Sequence, residues 1–209
     1  DTGFVRRVDT RTARANVSYR WWPNNLVINW GPSANYSRNY DFAGVLQDEQ
    51  SSVGLRAGFQ NGIIMTGNLN RDMERFLGHE FYKTTYFVGG GVNASRKVAL
   101  GTMFNWGDQV FFSDTPFLGR SVNATIFASI RPVARLNGDL LFISSRFRDP
   151  FSNDQIFDVK IGRALTTYQF TNRLSIRNIL EYNAFTTQLA INLLATYRVN
   201  FGTVFFIGY

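Results

Sequence analysis

Apolar and polar residues alternate one by one through much of the chain. Ala13, Ala15, Val17, Tyr19 and Trp21 are interleaved with Arg14, Asn16, Ser18 and Arg20. Val53, Leu55, Ala57 and Phe59 are set against Ser52, Gly54, Arg56 and Gln60. Nearer the end, Leu189, Ile191, Leu193, Ala195, Tyr197 and Val199 share one phase, and Asn192, Thr196 and Arg198 share the other. Side chains of an extended strand point alternately to opposite faces, so this pattern predicts strands with one apolar face. A helix needs apolar spacings of three and four, and no long stretch offers them. Noisier segments of the same kind lie near 26–38, 63–69, 82–93, 98–106, 122–130, 136–145, 157–169, 174–182 and 203–209. The sum is about twelve strands of roughly 8–14 residues, long enough to cross a bilayer at a tilt.

The breaks between strands sharpen the picture. Short turn-like breaks at 22–25, 60–62, 94–97, 131–134, 170–173 and 199–202 alternate with longer polar stretches at 39–50, 70–81, 106–120, 146–155 and 183–187. Outer-membrane barrels sort their connections this way, with tight periplasmic turns and long external loops. Aromatic residues follow the same division. Trp21, Trp22, Phe59, Phe170 and Tyr197 fall beside short turns, and Tyr40, Tyr82, Trp106 and Tyr182 beside long stretches. Two such sets are expected to form girdles at the two headgroup levels.

These patterns predict an all-β, antiparallel up-and-down transmembrane β-barrel in the bacterial outer membrane. With short turns in the periplasm, both ends of the chain fall on the external side, whereas complete bacterial barrels begin and end in the periplasm. Residues 1–209 are therefore expected to be one barrel segment of a longer polypeptide, in a barrel of about fourteen or more strands.

Composition changes this picture little. Apolar residues make up 44% and charged residues 18%, but aromatics reach 16% and Gly numbers 18, a mixture that suits twisted strands. No apolar run approaches the length of a transmembrane helix. Residues 1–14 hold no apolar segment and so no signal peptide; if the protein is exported, its signal is expected upstream of Asp1. Cysteine is absent. The formal charge of +7 comes from cations scattered singly, without the run typical of a nucleic-acid arm, so no nucleic-acid partner is expected. The expected surroundings are outer-membrane lipid and lipopolysaccharide, with other outer-membrane or periplasmic proteins as further partners.

The polar phase supplies the candidate lumen-lining residues: Arg14, Asn16, Arg20, Arg56, Asn68, Arg135, Asp139, Asp158, Lys160, Arg177, Glu181 and Arg198. Their mixed signs suit either a water-filled passage biased toward anions or a lumen filled by cross-strand pairs. Arg163 resists the scheme. It follows Phe157, Val159 and Ile161 in phase, which would turn a cation toward lipid at a cost of about 2–4 kcal/mol near mid-bilayer. A bulge at Gly162 that swaps the faces, or a place near the interface, would relieve this.

Enzymatic motifs are weak. Gly89-Gly90-Gly91-Val92-Asn93-Ala94 matches a dinucleotide fingerprint, but an alternating segment follows where a helix is required, so the glycines are expected to serve close packing or a bend. His79 is the single histidine, which excludes a multi-histidine metal site from this chain. No cofactor, metal site or catalytic set is expected. Asp72, Glu74 and His79 are the positions that a hydrolase with a rim active site would use.

Several longer stretches resemble one bacterial family. They include residues 18–23, 36–50, 70–76, 104–110, 157–161, 163–171, 177–183, 196–200 and 202–206, beginning with Ser-Tyr-Arg-Trp-Trp-Pro and Tyr-Ser-Arg-Asn-Tyr-Asp-Phe-Ala-Gly-Val-Leu-Gln-Asp-Glu-Gln. Together they are similar to the C-terminal β-barrel of proteins carrying domain of unknown function 5916, which usually follows a domain similar to family 9 carbohydrate-binding modules. The resemblance implies an outer-membrane location, a longer parent chain and an indirect link to glycans. It implies no activity. Three roles stay open: a barrel that conducts, exports or anchors material, a barrel-borne hydrolase, and a soluble β-sheet binding module.

Overall fold

The alternation resolves into a single layer of paired strands. A computed structural model describes residues 10–23 and 25–209; residues 1–9 and Asn24, which falls in the first expected turn, lie outside them. The strands are β1 (Thr10–Ser18), β2 (Val27–Asp41), β3 (Leu46–Phe59), β4 (Ile63–Phe76), β5 (His79–Ser95) and β6 (Val98–Phe111). They continue with β7 (Phe117–Val133), β8 (Leu136–Arg148), β9 (Gln155–Gln169), β10 (Leu174–Asn183), β11 (Gln188–Arg198) and β12 (Val204–Gly208). Each pairs antiparallel with its chain neighbours, so sheet order equals chain order. A single 3-10 turn at Gln60–Gly62 is the one helical element among the described residues. The sheet is open: β1 and β12 are its edges and do not pair with each other.

The expected contrast between tight turns and long loops does not hold, because the polar stretches continue as strand. β4 runs to Phe76 and reverses through Leu77-Gly78 into His79. Both turn residues have positive φ, 48° and 79°, which matches the twist of a two-residue hairpin. Polar cross-strand pairs carry the ladders outward. Thr12 Oγ1 donates to Asn39 Oδ1 at 2.7 Å, Arg38 meets Glu49 at 3.2 Å, and Arg75 pairs with Glu80. As a result β5 and β7 reach 17 residues each, well beyond the roughly 9–11 that a bilayer requires.

Residues directly opposite one another on neighbouring strands share a face. One rung runs through Asn16, Asn35, Ser52, Asn70, Thr85, Gly107, Ser121, Phe147 and Phe157, and it defines the first face. A rung on the second face runs through Ile126, Phe142, Gly162, Tyr182 and Leu189. The second face carries exposed apolar rows, with charged residues toward the strand ends. Leu189, Ile191 and Leu193 are exposed at 60%, 50% and 45%. Among the described residues only Met73, Val110 and Phe147 are buried hydrophobics. The accessible surface is 14845 Å², whereas a compact soluble monomer of this mass exposes roughly 9,900 Å².

The first face has one dense apolar cluster. Phe147, 1% exposed, stacks on Phe157 with ring centroids 5.6 Å apart and also contacts Phe111 and Phe117. Its ring lies over Gly119, where an added Cβ would come 2.4 Å from Phe147 Cζ and 2.8 Å from the Arg148 carbonyl oxygen. This cluster explains the anomaly at Arg163. No bulge occurs at Gly162, and Ile161, Gly162 and Arg163 stand in unbroken register with Ile143, Phe142 and Leu141. The whole row of Phe157, Val159 and Ile161 belongs to the first face, and Arg163 with it. There Arg163 stands opposite Glu181, with Nε 3.9 Å from Oε2.

Replacing Gly119 by Ala is expected to destabilise the fold by about 1–3 kcal/mol through overpacking. Thermal unfolding in detergent followed by circular dichroism would show it as a lowered midpoint, and an unchanged midpoint would contradict the packing described.

Candidate functional site: the polar track of the first face

The polar phase of β1 to β7 converges on a continuous track. One groove of about 630 Å³ includes Arg14, Asn16, Asn35, Ser52, Asn70 and Asp72 among its walls. A second of about 240 Å³ shares Asn70 and Asp72 and continues past Lys83 and Thr85 to Asn105 and Asn123. Amides and hydroxyls dominate because each polar position opposes another on the next strand. Asn35 Nδ2 donates to Ser52 Oγ at 3.2 Å and Asn70 Nδ2 to Thr85 Oγ1 at 3.2 Å. Ser145 Oγ donates to Asn123 Oδ1 at 2.6 Å. One such bond uses a single donor or acceptor of an amide that has three or more, so each rung keeps hydrogen-bonding capacity for solvent or solute.

Two ion pairs cross strands on this face. Lys83 Nζ lies 2.6 Å from Glu74 Oε2, with side-chain exposures of 19% and 6%, and Asp72 stands directly opposite Lys83. Further along, Arg163 faces Glu181. Two further cations of this face lie together at the opposite end of the strands. There Arg20 and Arg56 line one pocket with Asn29 and Ser33, and no carboxylate is in its lining.

The register places Arg14, Asn16, Arg56, Asn68, Asp139, Arg177, Glu181 and Arg198 on the first face, and Arg20 joins them through the shared pocket. Arg135 sits in the β7–β8 turn and donates to the Phe170 carbonyl at 3.2 Å. Asp158 and Lys160 are corrections. Asp158 stands opposite Arg146 and Lys160 opposite Ser144, so both belong to the second face. The error comes from treating Phe157, Val159 and Ile161 as the lipid-side row, whereas they extend the apolar cluster around Phe147.

The aromatic candidates gather on the second face. Trp21 stacks on Trp30 at 4.5 Å, and Tyr86 on Trp106 at 5.3 Å. Phe59, Tyr197, Tyr40, Tyr82 and Tyr182 share that face by register, and Phe170 packs edge-on against Tyr168 of the same face. Trp22 lies in the β1–β2 connection and is 61% exposed. The amide rungs of Asn35, Asn70, Asn105 and Asn123 are absent from the sequence-derived set. Their signal was legible as the phase opposite to Leu69, Phe104 and Val122.

The hydrolase positions are not assembled as a reactive centre. Glu74 is engaged by Lys83, Asp72 is one rung deeper, and the His79 ring tilts against Phe81 at 6.4 Å. Among the described residues no three His, Asp or Glu side chains cluster as metal ligands. Gly89, Gly90 and Gly91 lie inside β5, where Gly91 opposes Gly101 and a Cβ on Gly90 would come 2.9 Å from the Ile64 carbonyl oxygen. No family model, curated protein or solved structure matches the chain.

Lys83→Met is expected to cost about 3–5 kcal/mol, because it removes a cation held 2.6 Å from the buried Glu74 carboxylate. The double variant Lys83→Met/Glu74→Gln should recover much of that loss. Denaturant unfolding of wild type, Lys83→Met, Glu74→Gln and the double variant measures the coupling, and strictly additive losses would show that the pair is not coupled.

Proposed function

We propose that the sheet is part of the wall of an outer-membrane β-barrel, with the second face toward lipid and the first face lining a water-filled passage for polar solutes. The carrying observation is the second face: a single-layer sheet presents rows such as Leu189, Ile191 and Leu193 to its surroundings, with no second layer among the described residues to cover them. In water such a surface would associate, whereas in a bilayer it is the ordinary outer wall. The aromatics near strand ends on the same face fit headgroup levels. Strands beyond these twelve would close the cylinder, since hydrocarbon does not tolerate unpaired strand edges.

From β1 to β7 the first face supports passage over enclosure because its central rungs are mainly uncharged amides and hydroxyls that exchange readily with water. Its charges are mixed in sign, with Lys83 paired to Glu74 and Arg163 to Glu181 across strands. Selectivity among ions should therefore be weak, with anion preference set where Arg20 and Arg56 share one pocket. The resemblance to the barrel region of proteins with domain of unknown function 5916 agrees with this assignment and adds no substrate.

The test has two parts. Tryptophan fluorescence of the reconstituted protein should be quenched by lipids brominated on their acyl chains, and absence of quenching would defeat the membrane assignment. In planar bilayers the protein should conduct, and Arg20→Gln/Arg56→Gln should lower its chloride-to-potassium permeability ratio. A silent bilayer would defeat the passage.

A further inference from the structure

The second face holds one region that a plain lipid wall does not explain. On β7, β8 and β9 the rows of this face read, from the β8–β9 connection inward, Arg120 opposite Arg148, then Val122–Arg146–Asp158, then Ala124–Ser144–Lys160. Below them come Ile126–Phe142–Gly162 and Ala128–Leu140–Ala164. Four cations thus stand on the wall immediately above an apolar zone, with successive rows about 7 Å apart along the strands.

The cations are incompletely compensated. Arg146 Nη2 lies 3.1 Å and Lys160 Nζ 3.4 Å from the same Asp158 oxygen, so one carboxylate serves two cations. Arg146 and Lys160 keep side-chain exposures of 41% and 48%. In the outermost row Asp108, Arg120 and Arg148 stand side by side, so again one carboxylate faces two cations. Arg148 donates to Asn153 Oδ1 at 3.5 Å, and its Nε is buried without a hydrogen-bond partner. Elsewhere across strands Arg38 meets Glu49 and Arg163 meets Glu181, the opposite-sign pattern.

Directly below the cations is a groove of about 420 Å³, walled by Ile126, Leu140, Phe142, Ala164, Leu180 and Tyr182. Its floor is Gly162, where an added Cβ would meet nothing within 4 Å. The missing side chain leaves open apolar surface over Gly162 on which a hydrocarbon chain can lie.

We propose that this surface binds an anionic, phosphate-bearing acyl lipid, with the phosphate among Arg146, Lys160, Arg120 and Arg148 and one acyl chain laid over Gly162 and Ala164. The site rests on the assignment of the second face to lipid. It also places the basic rows at the headgroup level, where charges on a barrel wall cost least.

The test measures retention of phosphatidylglycerol against phosphatidylcholine of identical chains by the full chain in detergent, read by native mass spectrometry, with inorganic phosphate as a headgroup-only arm. Wild type should retain phosphatidylglycerol preferentially, by about fivefold for each cation engaged. Arg146→Gln/Lys160→Gln should abolish most of that preference, and Gly162→Leu should weaken retention of both lipids by filling the groove. Because removing both cations strands Asp158, Asp158→Asn serves as an independent variant, expected to raise the preference. Equal retention of the two lipids by wild type, or an unchanged preference in Arg146→Gln/Lys160→Gln, would overturn the site. Displacement of the lipid by millimolar inorganic phosphate would show a soluble-anion site instead and also overturn it. Quenching by brominated lipid without any headgroup preference sinks this site alone, whereas absence of quenching sinks the membrane assignment with it.

Discussion

Pairing of every strand with its chain neighbours in one layer is the constraint from which the other features follow. A second layer would hide one face and leave a conventional dry core. Without it, both faces stay open, and the twofold period of a strand sorts side chains between two different environments. Tertiary structure therefore reduces to which of two surfaces each residue joins, and the backbone ladder, which is indifferent to side chains, supplies the continuity. Under that constraint a polar rung from Asn16 to Ser121 and an apolar rung from Ile126 to Leu189 can coexist in one chain only a strand thickness apart.

Much of this was legible from residue order. All twelve strands, their antiparallel succession and the phase of Leu189, Ile191 and Leu193 could be read because alternation is a local signal. Connection lengths could not. Residues 70–76 look like loop because they carry Arg71, Asp72, Glu74 and Arg75, yet they form strand because β5 offers Lys83 and Glu80 as partners. Long-range pairing decided the matter, and a charged segment does not announce its partner.

The same limit explains Asp158 and Lys160. Face assignment from one strand assumes that its apolar phase meets lipid. In β9 that phase holds Phe157, Val159 and Ile161, but the register ties them to Phe147, Ser145 and Ile143 on the first face. Phe147 is drawn there by the space over Gly119 on a neighbouring strand. A glycine about forty residues upstream of Lys160 thereby fixes which way that lysine points, and only the pairing reveals it.

Sheet order equal to chain order also has a bearing on how the molecule comes into being. Each hairpin finds its ladder within a few tens of residues, so loop-closure entropy is met in small instalments instead of one long-range step. Growth by addition of one hairpin at an edge, and lengthening of the family of such walls by hairpin duplication, both leave every existing rung in place. The architecture is extensible in the way a woven strip is, at its margin, without rewriting what has already been laid down.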